Sequence, residues 1–275
     1  MTVYRGMDQA ALDAAYNNTA AVADSARLIA DWDRRSAAIA SAYPRDLDLR
    51  YGPRERNRID YFRAQRENAP VLAFIHGGYW QMRAKETFRF LAAGPLSCGI
   101  SFASIGYTLA PDATLHEIVQ EVQTALSWIA ANVRNYGGDA NRLYVSGWSA
   151  GGHLSAMSLA HPSVRGGLAI SGIFDLEPIR LSYLNGKLRL EAPDVACLSP
   201  RSNIPAASPP LTVAYGTREL AELQRQSREF AAARAQAGLR GTVAPLDDHN
   251  HFSILEELAD PKGRLTALVC KLACA

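Results

Sequence analysis

The spacing of hydrophobic residues changes several times along the chain, and each change predicts a new element. Residues 8–42 carry apolar side chains at helical spacing, with a break near residues 17–18 that predicts two helices. Residues 47–51 alternate between apolar and polar positions, and residues 57–62 continue after a Gly-Pro turn, which predicts a hairpin. Residues 71–75 are apolar throughout, as a strand covered on both faces must be.

After residue 75 the pattern alternates between strands and helices. Besides the motif described below, short apolar runs predict strands at residues 100–105, 167–173, 211–215 and 242–245. Longer runs predict helices at residues 85–96, 115–133 and 221–237 and at the C-terminus. Repeated β-α units after antiparallel entry strands predict an α/β fold with a doubly wound, mostly parallel central sheet and helices on both faces. We expect residues 1–275 to form a single domain.

Two segments lie outside this alternation. A helical extension at residues 1–45 precedes the first strand. Residues 174–210 show little periodicity and contain several prolines, which is unusual for a connection inside a compact domain. For each segment the sequence leaves two alternatives open: it packs on the outside of the fold, or it forms part of a lid over a site.

Composition and charge argue against several classes of partner. The chain has 275 residues and a formal net charge of +2 without a basic run, so we expect no nucleic-acid or membrane partner. The N-terminus lacks the apolar core of a secretion signal, which leads us to expect a cytoplasmic protein. Thiols stay reduced in that compartment, so the four cysteines are expected to be buried free thiols: Cys98, Cys197, Cys270 and Cys274.

Residues 143–154 contain the most informative motif, an apolar run followed by Gly-Trp-Ser-Ala-Gly-Gly and the start of a helix. A strand, a tight turn and a helix in this order lift the side chain of Ser149 away from the sheet. Side chains at positions 147 and 151 would collide with neighbouring backbone, which explains the glycines there. We therefore predict that Ser149 is a nucleophile, with the amide of Ala150 and a helix N-terminus behind it.

A serine nucleophile needs a base, and the base needs an acid that orients it. Of the six histidines, His249 and His251 follow the last predicted strand, at the sheet edge where site residues collect. We prefer His251 as the base because a helix start follows it, and His249 is the alternative. The loop after residues 211–215 contains no aspartate, so the acid is predicted to be Glu219, with Glu222 as the alternative.

A second motif, His-Gly-Gly-Tyr-Trp, occupies residues 76–80 directly after a predicted strand. Its glycines let the backbone approach a substrate closely. The amides of Gly78 and Tyr79, together with that of Ala150, are therefore predicted to form an oxyanion hole.

Large aromatic residues lie in both motifs. Tyr79 and Trp80 in the second motif, with Trp148 in the first, could form a pocket wall for a flat substrate. Packing in the hydrophobic core is an equally good account of these side chains.

Together these motifs resemble the α/β-hydrolase superfamily, and most closely its esterase and kynurenine formamidase branch. The resemblance covers about residues 45–260 and rests on the segments 76–80 (HGGYW), 107–111 (YTLAP), 137–139 (GGD), 147–152 (GWSAGG), 171–178 (SGIFDLEP), 225–227 (RQS) and 251–252 (HF). It implies a triad of Ser149, Glu219 and His251. Glutamate at position 219 is a departure, because that branch usually has aspartate there.

The resemblance implies a hydrolase that cleaves a small aryl-formamide or carboxylic ester through an acyl-enzyme, with no cofactor and no metal ion. A general short-chain carboxylesterase is the alternative, since the same machinery cleaves both bonds. A catalytically inactive relative that binds a small-molecule ligand is the alternative from another class. A metal-dependent hydrolase is disfavoured because the chain has no His-X-X-His or His-X-X-X-His pair. A homodimer is left open.

Overall fold

An eight-stranded sheet forms the centre of the computed structural model, which describes residues 1–274. Its strands are β1 (Leu49–Arg50), β2 (Arg58–Phe62), β3 (Ala69–Ile75), β4 (Ser101–Ile105), β5 (Gly138–Trp148), β6 (Val164–Ile170), β7 (Leu211–Gly216) and β8 (Gly241–Leu246). Their spatial order is β1-β2-β4-β3-β5-β6-β7-β8. Strand β2 runs antiparallel to both neighbours, and all other pairs are parallel. The predicted α/β fold with a mostly parallel central sheet is confirmed, including the entry hairpin.

Helices connect and flank the strands. They are α1 (Gln9–Ala15), α2 (Asn18–Ala21), α3 (Ser25–Ala42), α4 (Ala93–Ser97), α5 (Leu115–Asn132), α6 (Ala150–Met157), α7 (Glu177–Leu181), α8 (Asn185–Leu188), α9 (Ala192–Leu198), α10 (Ala221–Gln236), α11 (Glu256–Ala259) and α12 (Arg264–Cys274). The helix predicted at residues 85–96 is a 3-10 helix, Lys85–Ala92, followed by α4. No helix among the described residues has the length and hydrophobicity of a membrane span.

The sheet separates two hydrophobic cores, and β3 contributes to both. Val71, Ala73 and Ile75 pack in the first core. Leu72 and Phe74 pack in the second. Successive side chains of a strand point to opposite faces, so a strand covered on both faces must be apolar at every position. This explains the uninterrupted hydrophobic run that predicted β3.

The carboxyl ends of the parallel strands lie at one level. Three pairs in the strand register show this: Ile75 with Gly147, Trp148 with Ile170, and Gly216 with Leu246. The loops after these strands therefore leave the sheet at the same edge, which is where open α/β sheets bind their ligands.

The N-terminal extension divides between the two cores. Leu12 and Tyr16 of the first segment pack in the first core. Trp32 of α3 packs in the second. The two helices predicted at residues 8–42 correspond to α1 and α3, and the break between them holds the single turn of α2.

Residues 174–210 contain three short helices, α7 to α9, the longest of which has seven residues. Helices this short carry no readable period, which explains the irregular pattern. The strand predicted at residues 167–173 extends three residues too far. Strand β6 ends at Ile170, and Ser171 has a φ of 51°, which a strand cannot continue.

The prediction of free buried cysteines is wrong. Cys98, at the end of α4, forms a disulfide with Cys270 in α12, and their Cα atoms lie 6.2 Å apart. Cys197 and Cys274 are free but exposed. The paired residues are separated by 172 positions, so only the packing of α4 beside α12 brings them together.

Loss of this disulfide is expected to lower the free energy of unfolding by about 3–5 kcal/mol, because the bond restrains a long stretch of the unfolded chain. The melting temperature of Cys98→Ser should then fall by roughly 5–10 °C. Thermal unfolding with and without a reductant measures the effect, and Cys197→Ser, which removes an exposed free thiol, is the matched control. Equal melting temperatures for Cys98→Ser and the wild type without reductant would contradict the bond.

Candidate active site

The turn between β5 and α6 presents the side chain of Ser149. Its backbone has φ 58° and ψ −118°, an unfavourable region for a residue with a Cβ atom. The amide of Ser149 donates to the carbonyl of Ile170 at 2.8 Å, which ties the turn to the end of β6. Helix α6 begins at the next residue, Ala150. The strand, turn and helix predicted for this motif are present.

Two glycines permit this tight turn. A Cβ atom at Gly151 would overlap with the carbonyl of Ile75, and one at Gly147 would overlap with the carbonyl of Gly151. The backbones of β3, β5 and α6 therefore approach more closely than any side chain would allow.

Glu219 and His251 form a buried pair at the same sheet edge. Nδ1 of His251 lies 3.1 Å from Oε2 of Glu219, and the two residues are 3% and 6% exposed. The other carboxylate oxygen, Oε1, accepts hydrogen bonds from the amide of Gly216 and the hydroxyl of Ser171, both at 2.6 Å. Glu219 is thus held in one orientation. When Nδ1 donates to it, Nε2 of His251 is the nitrogen that can accept a proton.

Trp148 connects the turn of Ser149 to His251. Its indole Nε1 donates to the carbonyl of His251 at 2.7 Å, and the two rings lie 4.8 Å apart. Because Trp148 directly precedes Ser149, these contacts place His251 beside the turn that carries the serine.

His249, the alternative base, is bound by the helical turn that follows it. Its Nε2 lies 3.1 Å from Oε1 of Glu257, and its Nδ1 lies 3.2 Å from the carbonyl of Ser253. Both ring nitrogens are therefore engaged away from Glu219.

Glu222, the alternative acid, is also engaged elsewhere. It forms an ion pair with Arg225 at 2.7 Å and accepts a hydrogen bond from the hydroxyl of Tyr16 at 3.0 Å. The structure thus brings Glu219, rather than Glu222, to His251.

His76 and His153, which lie inside the two motifs, are fully buried. Burial lowers the pKa of His76 to about 3 and that of His153 to about 4, so both rings are neutral near pH 7. Nδ1 of His76 lies 2.8 Å from the carbonyl of Gly77, and Nε2 of His153 lies 2.8 Å from the carbonyl of Leu198. Both histidines brace loops around the site.

The loop after β3 brings backbone amides close to Ser149. A Cβ atom at Gly77 would lie 3.0 Å from the Cβ of Ser149, so the loop and the serine are neighbours. Gly78 has a φ of 114° and Tyr79 a φ of 51°. Apart from the hydrogen bonds that lie inside helices and strands, the backbone amides of Gly78, Tyr79 and Ala150 donate to no backbone carbonyl in residues 1–274. Their role as oxyanion donors stays a prediction.

Trp80 and Trp148 are buried, at 0% and 4% exposure. Trp80 packs edge-on against His153 with ring centroids 5.0 Å apart. Trp148 packs against Trp32 and Phe252 in the second core. Burial favours the packing alternative for both side chains, and a substrate contact by either one stays a prediction.

Ser171 contributes to the site without any signal in the sequence. Its buried hydroxyl donates to Oε1 of Glu219, and its amide donates to the carbonyl of Ala214 at 2.7 Å. The segment 171–178 takes part in the family resemblance, but nothing there shows that its first residue faces position 219. The parallel pairing of β6 with β7 decides that contact.

The groups around Ser149 suit acyl transfer. A serine hydroxyl, an imidazole paired with a carboxylate, and backbone amides are the groups that this chemistry uses as nucleophile, base, orienting acid and oxyanion donors. The assignment of these roles to Ser149, His251, Glu219 and the amides stays a prediction. No cluster of three or more His, Cys, Asp or Glu side chains in residues 1–274 is arranged to hold a metal ion.

Known proteins are similar to this chain in sequence and in fold. The BD-FAE family model matches residues 59–164. Kynurenine formamidase of Danio rerio is 30% identical over 241 residues, which cover 82% of this chain and 81% of that protein. Kynurenine formamidase of Salmo salar is 28% identical, with the same two coverages. The crystal structure of a candidate thioesterase from Silicibacter sp. is 28% identical, has a TM-score of 0.85, and covers 94% of this chain and 98% of that one.

The buried His153 is expected to make the fold less stable in acid. Its pKa is lowered from 6.5 to about 4, so between these values the unfolded chain binds a proton that the folded chain does not. The free energy of unfolding should therefore fall as the pH drops through this range, by up to about 1.4 kcal/mol per pH unit for this residue. His153→Gln should remove that part of the slope in chemical denaturation at a series of pH values. A slope that is unchanged in the variant would contradict the neutral buried ring.

Proposed function

The chain belongs to the kynurenine formamidase and esterase branch of the α/β-hydrolases, and on this premise we propose that it hydrolyses small aryl-formamides or carboxylic esters through an acyl-enzyme. In this proposal Ser149 is the nucleophile, His251 is the general base, and Glu219 is the acid that orients the base. The observation that carries the proposal is the buried Glu219–His251 pair beside the turn of Ser149.

In the first step, Oγ of Ser149 attacks the carbonyl carbon of the substrate while its proton passes to Nε2 of His251. The imidazole becomes positively charged, and the carboxylate of Glu219 stabilises that charge. Because Ser171 and Gly216 occupy Oε1 of Glu219, its Oε2 stays directed at His251 throughout.

The carbonyl oxygen of the substrate becomes negative as the bond to Ser149 forms. The amides of Gly78, Tyr79 and Ala150 supply the hydrogen bonds that stabilise it. One such donor commonly contributes about 3 kcal/mol to the stabilisation of the transition state. The positive φ values of Gly78 and Tyr79 support this role, since unusual backbone angles concentrate at functional sites.

The leaving amine or alcohol takes the proton from His251 as its bond to the carbonyl carbon breaks. The acyl group then remains on Ser149 as an ester. In the second half of the reaction, a water molecule gives a proton to His251 and attacks this ester. The carboxylic acid leaves, and Ser149 regains its proton, so each turnover consumes one water molecule.

Ser149→Ala is expected to lower kcat for p-nitrophenyl acetate by about 10³–10⁶-fold, because the nucleophile is lost. The melting temperature should stay close to the wild-type value. A large loss of stability with a modest loss of activity would mean that the residue is structural. A fluorophosphonate probe should label the wild type and leave Ser149→Ala unlabelled. A folded wild type that does not react would instead favour a ligand-binding protein without activity.

Glu219→Gln is expected to lower kcat by about 10²–10⁴-fold, because a neutral amide no longer stabilises the imidazolium of His251. Glu222→Gln is the matched control, since it makes the same change three positions away on a carboxylate bound to Arg225. Its kcat should stay within about threefold of the wild type, in keeping with a change outside the reacting groups. A strong loss in Glu222→Gln with little loss in Glu219→Gln would reverse the assignment of the acid.

The substrate class is tested by comparing kcat/KM for N-formylkynurenine, p-nitrophenyl acetate and esters with longer acyl chains. A higher kcat/KM for the formamide supports formamidase activity. A clear preference for short acyl esters would favour a general short-chain carboxylesterase.

A further inference from the structure

The hydroxyl of Tyr79 connects the loop after β3 to the N-terminal segment. It donates to the carbonyl of Tyr16 at 2.6 Å and accepts a hydrogen bond from Nδ2 of Asn18 at 2.9 Å. A phenol has only one proton, and the hydroxyl of Tyr79 uses it in the hydrogen bond to the carbonyl of Tyr16. Asn18 must therefore turn its NH₂ group toward Tyr79, which leaves the amide oxygen Oδ1 on the opposite side.

Oδ1 of Asn18 has no hydrogen-bond partner among the described residues, although Asn18 is only 4% exposed. A buried acceptor without a donor lowers stability. Rotating the amide would not help, because Tyr79 has no second proton to give to Oδ1. The hydrogen bonds of Tyr79 thus enforce an unsatisfied acceptor at this position.

Asn18 is linked to the loop after β3. It is held by Tyr79, whose backbone amide is one of the proposed oxyanion donors. Burial, followed by the neighbouring Tyr183 and the charge of Glu219, raises the pKa of Tyr79, while the hydrogen bond from Asn18 acts in the opposite direction. Gly77, two positions before Tyr79 in the same loop, lies against Ser149.

We infer that Oδ1 of Asn18 is a subsite that accepts a hydrogen bond from an N–H group of the substrate. This inference rests on the function proposed above. The donor is either the N–H of the scissile formamide or an ammonium group elsewhere on the substrate, since both present the same chemistry to an amide oxygen. A site built around a buried acceptor discriminates against analogues that lack the donor, because the acceptor then stays unpaired.

The test compares kcat/KM for three substrates in the wild type and in Asn18→Leu. Phenyl formate has no N–H, formanilide has an amide N–H, and N-formylkynurenine has both an amide N–H and an ammonium group. The ratio of kcat/KM for an N–H substrate to that for phenyl formate is the readout, since it cancels any effect of the substitution on Tyr79. We expect this ratio to fall about tenfold or more in Asn18→Leu.

The pattern of loss identifies the donor. A fall for both formanilide and N-formylkynurenine assigns Oδ1 to the formamide N–H. A fall for N-formylkynurenine alone assigns it to the ammonium group. Ratios that do not change, or equal losses on all three substrates, would show that Asn18 has only a structural role and would overturn the inference.

Two further variants separate the acceptor from its surroundings. Asn18→Asp keeps an acceptor oxygen and should retain the wild-type ratio for the substrate that Asn18→Leu disfavours. Asn17→Leu makes the same substitution one position earlier, where the side chain caps α2 through the amide of Ala20, and should leave the ratio unchanged. A fall in either variant as large as that in Asn18→Leu would contradict the subsite.

Binding to Ser149→Ala tests the subsite without turnover. Calorimetry should show that formanilide or N-formylkynurenine loses affinity relative to phenyl formate when Asn18→Leu is added to Ser149→Ala. If this preference is found but the wild type cleaves none of the three compounds, the proposed function fails and the subsite stands. If the wild type cleaves them but no preference is found, only the subsite fails.

Discussion

The carboxylate of Glu219 holds the ends of neighbouring strands in one arrangement. Its Oε1 accepts hydrogen bonds from Ser171, just past the end of β6, and from Gly216, the last residue of β7. Its Oε2 faces His251 in the loop after β8. A buried carboxylate is costly unless its oxygens are hydrogen-bonded, so the folded state needs all of these contacts together. The same contacts aim the imidazole, and the proposed chemistry therefore depends on a network that is also part of the core.

Four residues with strained backbone lie in the loops of the candidate site. Ser149, Ser171, Tyr79 and Trp80 are residues with side chains and positive φ values between 51° and 58°. Such conformations cost about 1–3 kcal/mol each and persist only where the surroundings hold them. Here the amide of Ser149 is hydrogen-bonded to the last residue of β6, and the side chain of Trp80 is fully buried in the core. These residues lie in the turn of Ser149, in the loop after β6, where Ser171 binds Glu219, and in the loop after β3, which carries the amides of Gly78 and Tyr79.

The N-terminal segment is hydrogen-bonded to the loop after β3 as well as packed in the core. The carbonyl of Tyr16 and the side chain of Asn18 bind the hydroxyl of Tyr79. The hydroxyl of Tyr16 also bonds to Glu222 and Gln226 of α10. Residues at the start of the chain thus connect the loop after β3 with the helix after β7. Any shift of this segment would move the hydrogen-bond partners of Tyr79.

The local pattern alone determined much of this protein. The strong hydrophobic runs located the strands to within a few residues, since a strand covered on both faces must be apolar and an amphipathic helix must repeat its apolar face. The two glycine motifs predicted the tight turn at Ser149 and the close approach of the loop after β3, because tight turns and close backbone approach require glycine at neighbouring positions.

Tertiary structure decided whatever depends on contacts between distant residues. The sequence favoured Glu219 but left Glu222 open as the alternative, and only the placement of β7 beside β8 brought Glu219 to His251. The disulfide between Cys98 and Cys270 escaped prediction for the same reason, as its partners meet only where α4 packs beside α12. Hydrophobic periodicity records which face of an element is buried, but it does not record which partner lies against that face.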